Sequence, residues 1–594
     1  MFSLKDRLGE RVEAAFQSIG LDASFGAVKA ADRPDLADFQ CNGALAAAKT
    51  VQRNPREIAA AVVDVLQKDP AFTKAEVAGP GFINLLVSTD VLSSAILEIC
   101  RDPNGGGWRA PDREKIVLDY GGPNVAKPLH VGHLRSAIIG EALKRILRSA
   151  GHEVVGDIHL GDWGLQMGQL ISELERRMPA LPYFSSSEGP FPSAPPISLA
   201  DLEELYPAAS AACKADPARA DEARKATKAL QGGRAGYRAL WRHFVALSVA
   251  AMKTNYADLE VGFDLWQGEG DVDPLIPELI DDLKSKQVLE PSDGAWIIRV
   301  AREDDRKTVP PIIFINSEGA VGYHATDIAT IVDRARSLAP HRILYVVDGR
   351  QQLHFEQVFR AADRAGYFPE NRLEHLWFGT MNGKDGKPFK TRAGGVLKLR
   401  DLIDMVKERA GDRLREGGLA EDMNAQERDE VARMVGVAAL KFADLANPRT
   451  TDYVFDLDRF MSFEGKTGPY LLYAFVRIRS LLEKADRLAG LDDPNPDAIE
   501  LSGAFSDPAC RELALALASF ADAMEGAVRR RSPHLLCDHA FRLAQAFSKF
   551  YAACRILDEA EVELREARIV MSAVAGRQLK LALEMLGIAT PHRM

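Results

Sequence analysis

The chain has 594 residues, with 75 Lys and Arg against 85 Asp and Glu, a net charge of −10 and 46% apolar residues. That length leaves room for three or four domains with sizeable cores, and no uninterrupted apolar run nears the ~20 residues a membrane helix needs. The negative balance argues against indiscriminate nucleic-acid binding, although an RNA partner held by local basic patches stays open.

Residues Met1–Glu10 include acidic side chains and lack an apolar signal core, so a cytoplasmic location is expected. Cysteines at 41, 100, 213, 510, 537 and 554 show no paired spacing and read as reduced thiols. Residues 1–108 open with an amphipathic helix (Leu4, Leu8, Val12, Phe16, Ile19) and later carry β-like runs ending at Ile83–Val87, a small α+β domain. Within it Phe39 offers either a stacking face or a core ring. Asn104–Gly107 reads as a linker.

From 109 to 395, strands expected at 115–120, 153–158, 312–316, 342–347 and 376–380 alternate with helices. That rhythm predicts an α/β fold, a Rossmann-like doubly wound parallel sheet. The Pro-rich stretch 182–196 interrupts it and opens an insertion at about 181–258, helical from about 200 onward. Beyond 396 almost everything is amphipathic helix: a connector over 396–460, then an all-α domain over 461–594. No internal repeat stands out.

The chemistry concentrates in two segments. The first is Asp119-Tyr-Gly-Gly-Pro-Asn-Val-Ala-Lys-Pro-Leu-His-Val-Gly-His133, between a strand and a helix marked by Leu134, Ile138, Ile139, Leu143, Ile146 and Leu147. A strand, a tight loop and a helix N-terminus place backbone amides and the helix dipole where a phosphate can sit. His130 and His133 would add donors on one face, and Gly132 would let an adenine ring approach the backbone. Paired histidines also serve as metal ligands or surface residues, but no Cys pair or HExxH spacing nearby supplies further ligands. The second segment is Gly383–Gly395, where Lys384, Lys387, Lys390 and Arg392 sit among glycines. It suits closure over a polyphosphate, or it is a solvated basic loop.

Together these segments resemble the two signatures of class I aminoacyl-tRNA synthetases: the HIGH motif, at His130–His133, and the KMSKS loop. Residues 123–133, Gly161–Gly164, Phe389–Gly395, Arg449–Tyr453, Ala78–Asn84 and Leu586–Met594 are similar to arginyl-tRNA synthetases, so the resemblance spans the chain.

The resemblance implies activation of L-arginine by ATP, with release of pyrophosphate, then transfer to the 3′ end of an arginine tRNA. ATP with Mg2+ would be a substrate, with no tightly bound protein-ligated metal, and the enzyme a monomer. Family members exchange pyrophosphate into ATP only when their tRNA is present. His130 and His133 would meet the ATP phosphates, Gly132 the adenine, and Lys387 and Lys390 the departing pyrophosphate. Read as Lys387–Thr391 the loop keeps both signature lysines. Read as Pro388–Arg392 it loses both, and Lys127 compensates.

The substrate arginine would lie against Asp119, Asn124, Tyr323, Asp327 and Gln351, a carboxylate matching the guanidinium fork to fork. Asp327 also reads as a helix N-cap. Gly121-Gly122 stands where many relatives carry serines. Phe39 and Gln40 would touch the bend of the tRNA, and Tyr470, Tyr473, Arg477, Tyr551 and Met594 its anticodon. The aromatic stripe there, with Phe541, Phe547 and Phe550, also reads as core, and Arg529–Arg531 as phosphate contacts or a solvated run. A nucleotidyltransferase, a synthetase for another amino acid and a catalytically silent RNA-binding relative are the rivals. The helical tail argues against the first, the motif set against the second, and the intact histidines and lysines against the third.

Overall fold

The computed structural model describes residues 3–185, 188–383, 385–386, 397–491 and 500–594. The N-terminal helix Leu4–Ser18 starts at Ser3, whose hydroxyl accepts the Asp6 N–H at 3.1 Å, and it buries Leu4, Leu8, Val12, Ala15 and Phe16. Beside it stands a four-stranded antiparallel sheet in the order 28–30, 39–41, 82–87, 72–78. Phe39 is 9% exposed within the core, so its core reading holds and no stacking face is offered. The expected linker is instead a packed turn. Gly105, Gly106 and Gly107 are buried, and the Gly105 carbonyl accepts the Gln578 side-chain amide at 2.7 Å.

The central sheet is parallel throughout. In chain order its elements are β1 (Lys115–Tyr120), α1 (Val131–Ser149), β2 (Glu153–Leu160), the insertion helices α2 (Leu199–Ala215), α3 (Pro217–Gln231) and α4 (Ala235–Asp258), and β3 (Leu265–Gly268). After these come α5 (Tyr323–Leu338), β4 (Arg342–Val346), α6 (Gln352–Arg364) and β5 (Leu373–His375). The spatial order is β5-β4-β1-β2-β3. The winding reverses between β1 and β4, the position where open α/β sheets bind ligands.

Two expected strands are corrected. Residues Ile312–Ile315 form a strand outside this sheet, paired antiparallel with Ala295–Ile298 in a separate three-stranded sheet. An apolar run gives no clue to its partner; the exposure of Ile313 on one face suits an antiparallel sheet. The strand expected at 376–380 ends at His375, because Gly379 turns away to donate its N–H to the Arg449 carbonyl at 3.0 Å. The short edge strand β3, four residues long and half-buried, carried no periodic signal. The connector carries the helices Leu399–Glu416 and Ala425–Leu445, and its Tyr453–Val454 pairs in parallel with Met381–Asn382. The C-terminal part is a helical bundle built on Gly468–Lys484, His534–Ala553 and Val562–Met585.

Candidate active site

Strand β1 delivers Asp119 and Tyr120 to the reversal point, and the chain leaves through Gly121 at φ +90°, a left-handed conformation that glycine adopts without strain. A Cβ there would also stand 2.9 Å from the Phe263 ring. The Gly121 N–H donates to Ser136 Oγ at 2.8 Å, and that hydroxyl donates to the Val346 carbonyl at 2.6 Å. One side chain of α1 thereby fastens the ends of β1 and β4.

The amides at the start of α1 differ from the expectation. His130 is the N-cap; its Nδ1 accepts the Gly132 N–H at 3.0 Å, while His133 Nδ1 accepts the His130 N–H at 3.1 Å. The Val131 N–H is taken by the Leu397 carbonyl at 3.1 Å. These amides are spent on the cap, so the donors left for a phosphate are the imidazoles. With both Nδ1 atoms accepting, each neutral ring carries its proton on Nε2. Burial lowers the pKa of His133 to about 3, with the neighbouring charges of His130 and Lys127 adding to the effect. Burial also lowers His130, again with help from Lys127. The rings lie 3.9 Å apart. Gly132 is exposed, and a Cβ on it would stand 2.7 Å from the His130 ring.

Lys384, Lys387, Lys390 and Arg392 lie outside the described residues. Both ends of their segment are described. Met381–Asn382 enters beside Tyr453–Val454, and Lys398 leaves in an antiparallel bridge with His130, the Leu399 N–H donating to the Leu129 carbonyl at 2.8 Å. The first signature is thus a backbone neighbour of Lys398, just past the second segment. Lys127 carries its ammonium 4.9 Å above the Tyr206 ring of α2.

Of the residues expected to hold arginine, Asp119 is already engaged: Arg334 Nη2 donates to its Oδ2 at 2.6 Å and to Asp157 Oδ2 at 2.6 Å. Arg334 is fully buried and lies 5.5 Å over the Tyr345 ring. Burial raises the Asp119 pKa, opposed by Arg334 and reinforced by the charge of Asp327. Asp327 is not an N-cap. Helix α5 begins at Tyr323 after Gly322, and Asp327, one turn in, meets His354 Nε2 of α6 at 2.6 Å. Tyr323, 63% exposed, lies with its ring 4.3 Å from His324 and 4.9 Å from His354. Asn124 bridges Gly161, where a Cβ would stand 2.3 Å from Asn124 Oδ1. Gln351 is exposed in the turn Gly349–Gln351.

Both carboxylates thus have one oxygen in internal use. Sequence reading missed Arg334, Asp157, His354 and Glu269. Arg334 stands seven residues after Asp327, two turns along α5, and that spacing was the available signal. Glu269, just after β3, has its pKa pushed up to about 6, by burial first and the charge of Asp327 second.

In the C-terminal bundle, Arg477 Nη2 donates to Tyr473 Oη at 2.9 Å, and its guanidinium lies 4.7 Å over the Tyr473 ring and 5.4 Å over that of Tyr551. Tyr551 is 43% exposed. Tyr470 turns inward, with its hydroxyl 3.3 Å from Ser548 Oγ and its ring edge-on to Phe541. Phe547 and Phe550 are core, and Met594 packs half-buried against the helices. Gln40 donates to Asn84 Oδ1 at 3.0 Å. Arg529 and Arg531 are paired with Glu525 and Glu374. Cys510 and Cys554, unrelated in spacing, bring their sulfurs to 3.6 Å beside Asp507.

Comparison with known proteins matches three family models: tRNA synthetases class I (R), catalytic domain, over residues 96–457; the DALR anticodon binding domain over 471–594; and the arginyl tRNA synthetase N terminal domain over 3–87. The chain is 52% identical to the arginine–tRNA ligase of Hyphomonas neptunium and 50% identical to that of Maricaulis maris, in each case over all of both chains. Its fold is similar to the arginyl-tRNA synthetase structures from Plasmodium falciparum (TM-score 0.82, 23% identity) and Thermus thermophilus (TM-score 0.77, 22% identity), again over all of each chain.

Proposed function

The chain belongs to the arginyl-tRNA synthetase family, and from that premise we propose how its residues perform the reaction. The overall chemistry is ATP-dependent: arginine is activated as its adenylate with release of pyrophosphate, then transferred to the 3′ end of the tRNA with release of AMP. No covalent enzyme intermediate is needed, so the work of the protein is positioning and charge neutralisation.

The observation that carries the site assignment is the bridge between His130 and Lys398, which joins the histidine cap to the end of the lysine segment. The two Nε2–H groups donate to the phosphates, strengthening as charge builds at the α-phosphoryl group. Lys127, with Lys387 and Lys390, neutralises the departing pyrophosphate. Magnesium travels with ATP as part of the substrate. Arginine spans Asp119 and Asp327, each offering its free oxygen, beside Asn124, Tyr323 and Gln351. Leaving the buried Asp119 carboxylate half paired penalises a wrong amino acid by roughly 2–5 kcal/mol.

Tyr473, Arg477 and Tyr551 form the stacking platform for anticodon bases: Arg477 packs over both rings, and Tyr551, 43% exposed, offers its outer side to a splayed base. Tyr470 and Met594 act with it at the anticodon, and Gln40 at the bend of the tRNA. The enzyme works as a monomer in the cytoplasm. Among the described residues no helix is long and apolar enough to cross a membrane.

The deciding experiment is ATP–pyrophosphate exchange with each amino acid, with and without tRNA. Arginine alone is expected to support exchange, and only with its tRNA present. Exchange driven by another amino acid would reject the reading. Arg477→Ala is expected to raise the KM for tRNA severalfold and leave that for arginine unchanged.

A further inference from the structure

The insertion grips the catalytic loop at two points and the Lys398 end of the lysine segment at a third. The Ala126 N–H donates to Ser248 Oγ of α4 at 3.0 Å, holding Ala126 at φ +65°. Lys127 follows, its ammonium 4.9 Å over the Tyr206 ring of α2. Glu203, three residues before Tyr206 and so on the same face of α2, pairs with Lys398 Nζ at 2.8 Å. Lys398 is the residue whose backbone bridges His130. Leu199 and Leu202 of α2 and Met252 of α4 close an apolar seam beneath Lys127 and Lys398. One face of one insertion helix therefore holds two cations, one on each catalytic segment.

We propose that Tyr206 and Glu203 are positioning residues for the activation step: Tyr206 sets the Lys127 ammonium beside the phosphates, and Glu203 sets the Lys398 end of the lysine segment against His130. A lysine is a point charge on a flexible stem with several accessible rotamers. An aromatic face confines that charge without neutralising it, whereas a carboxylate would cancel it. The difference matches the two tasks. Lys127 must keep its charge for the nucleotide and sits on a ring; Lys398 serves through its backbone, and its charge is tied off. The insertion thereby fixes the charge geometry of a site to which it contributes no reacting group.

This inference rests on Lys127 acting on the phosphates, and the experiment separates the two claims. Pyrophosphate exchange is measured for Tyr206→Leu, Tyr206→Phe, Lys127→Ala and the Tyr206→Leu/Lys127→Ala pair, with melting temperature followed in parallel. Tyr206→Leu is expected to lower kcat about 3- to 10-fold, with the KM for arginine unchanged. Tyr206→Phe, which keeps the ring, is expected to restore the rate. In the Lys127→Ala background Tyr206→Leu is expected to add nothing. A wild-type rate for Tyr206→Leu while Lys127→Ala is impaired overturns the inference alone, as does a Tyr206→Leu loss that persists undiminished without Lys127. A wild-type rate for Lys127→Ala overturns the role of Lys127 itself. Glu203→Gln gives the second arm: a fall in kcat is expected, and an unchanged rate removes Glu203 from the proposal.

Discussion

Arg334 donates to Asp119 at 2.6 Å from a position with no solvent exposure, so the carboxylate proposed to meet the substrate already rests on a guanidinium belonging to the protein. It pairs Asp157 at the same distance. Removing one partner of a buried charged network leaves uncompensated charge. Arg334→Met is expected to cost about 3–5 kcal/mol of stability and to raise the KM for arginine. Adding Asp157→Asn should return part of the stability. Thermal unfolding and arginine titration of both variants check this, and a Met variant as stable as wild type would contradict the account.

His133 Nδ1 completes the helix cap, and in the proposed reading its Nε2 donates to the phosphates, so the ring has two jobs on two nitrogens. Asparagine can keep the cap acceptor but has no distal donor. His133→Asn should therefore unfold at nearly the wild-type temperature yet lose about 10²–10³ in the exchange rate, with the KM for arginine little changed. Equal losses in stability and activity would assign His133 to the cap alone.

His354 holds Asp327 through Nε2 at 2.6 Å. A hydrogen bond to a carboxylate contributes about 1.5–3 kcal/mol, so His354→Ala should raise the KM for arginine about tenfold or more, with kcat less affected. Glutamine places an amide near the Nε2 position, and His354→Gln should recover much of the loss. Steady-state kinetics in arginine decide it; identical Ala and Gln variants would show that packing, not the hydrogen bond, matters.

Glu269 titrates near pH 6 beside Asp327. As pH rises through that value the crevice gains a negative charge, which favours a cationic amino acid. The kcat/KM for arginine should climb up to about fourfold between pH 5.5 and 7.5, and Glu269→Gln should flatten that rise. A profile unchanged by the substitution places the titration elsewhere.

His539 is buried in the C-terminal bundle, its ring 5.1 Å from Phe520, and burial lowers its pKa to about 3. The unfolded chain, near 6.5, takes up that proton first. The stability is therefore intact above pH 6.5 and is lost as pH falls toward 3, by about 2 kcal/mol at pH 5. His539→Gln should narrow the gap between melting temperatures at pH 7.5 and 5, by calorimetry. A gap as wide as in wild type would mean that other groups set the acid limit.

Much was decided by local sequence. The strand 115–120, the loop to His133 and the helix after it follow from an apolar run, a Gly-Pro break and 3.6-residue periodicity, all of which act within a few residues. The reversal of winding between β1 and β4, the exile of Ile312–Ile315 to another sheet and the burial of Phe39 were settled by partners far along the chain. The same holds inside the site. Sequence marks His130 and His133 as a pair, but only packing shows that their Nδ1 atoms are consumed by the cap and that a backbone bridge joins His130 to Lys398. Asp119 and Asp327 stood out as carboxylates in the right neighbourhoods. Their use of one oxygen each depends on Arg334, which meets Asp119 only once α5 packs on β1, and on His354, which meets Asp327 only once α6 lies beside α5. Periodicity and turn chemistry are read along the chain; hydrogen bonds between side chains distant in sequence exist only once the elements that carry them have packed.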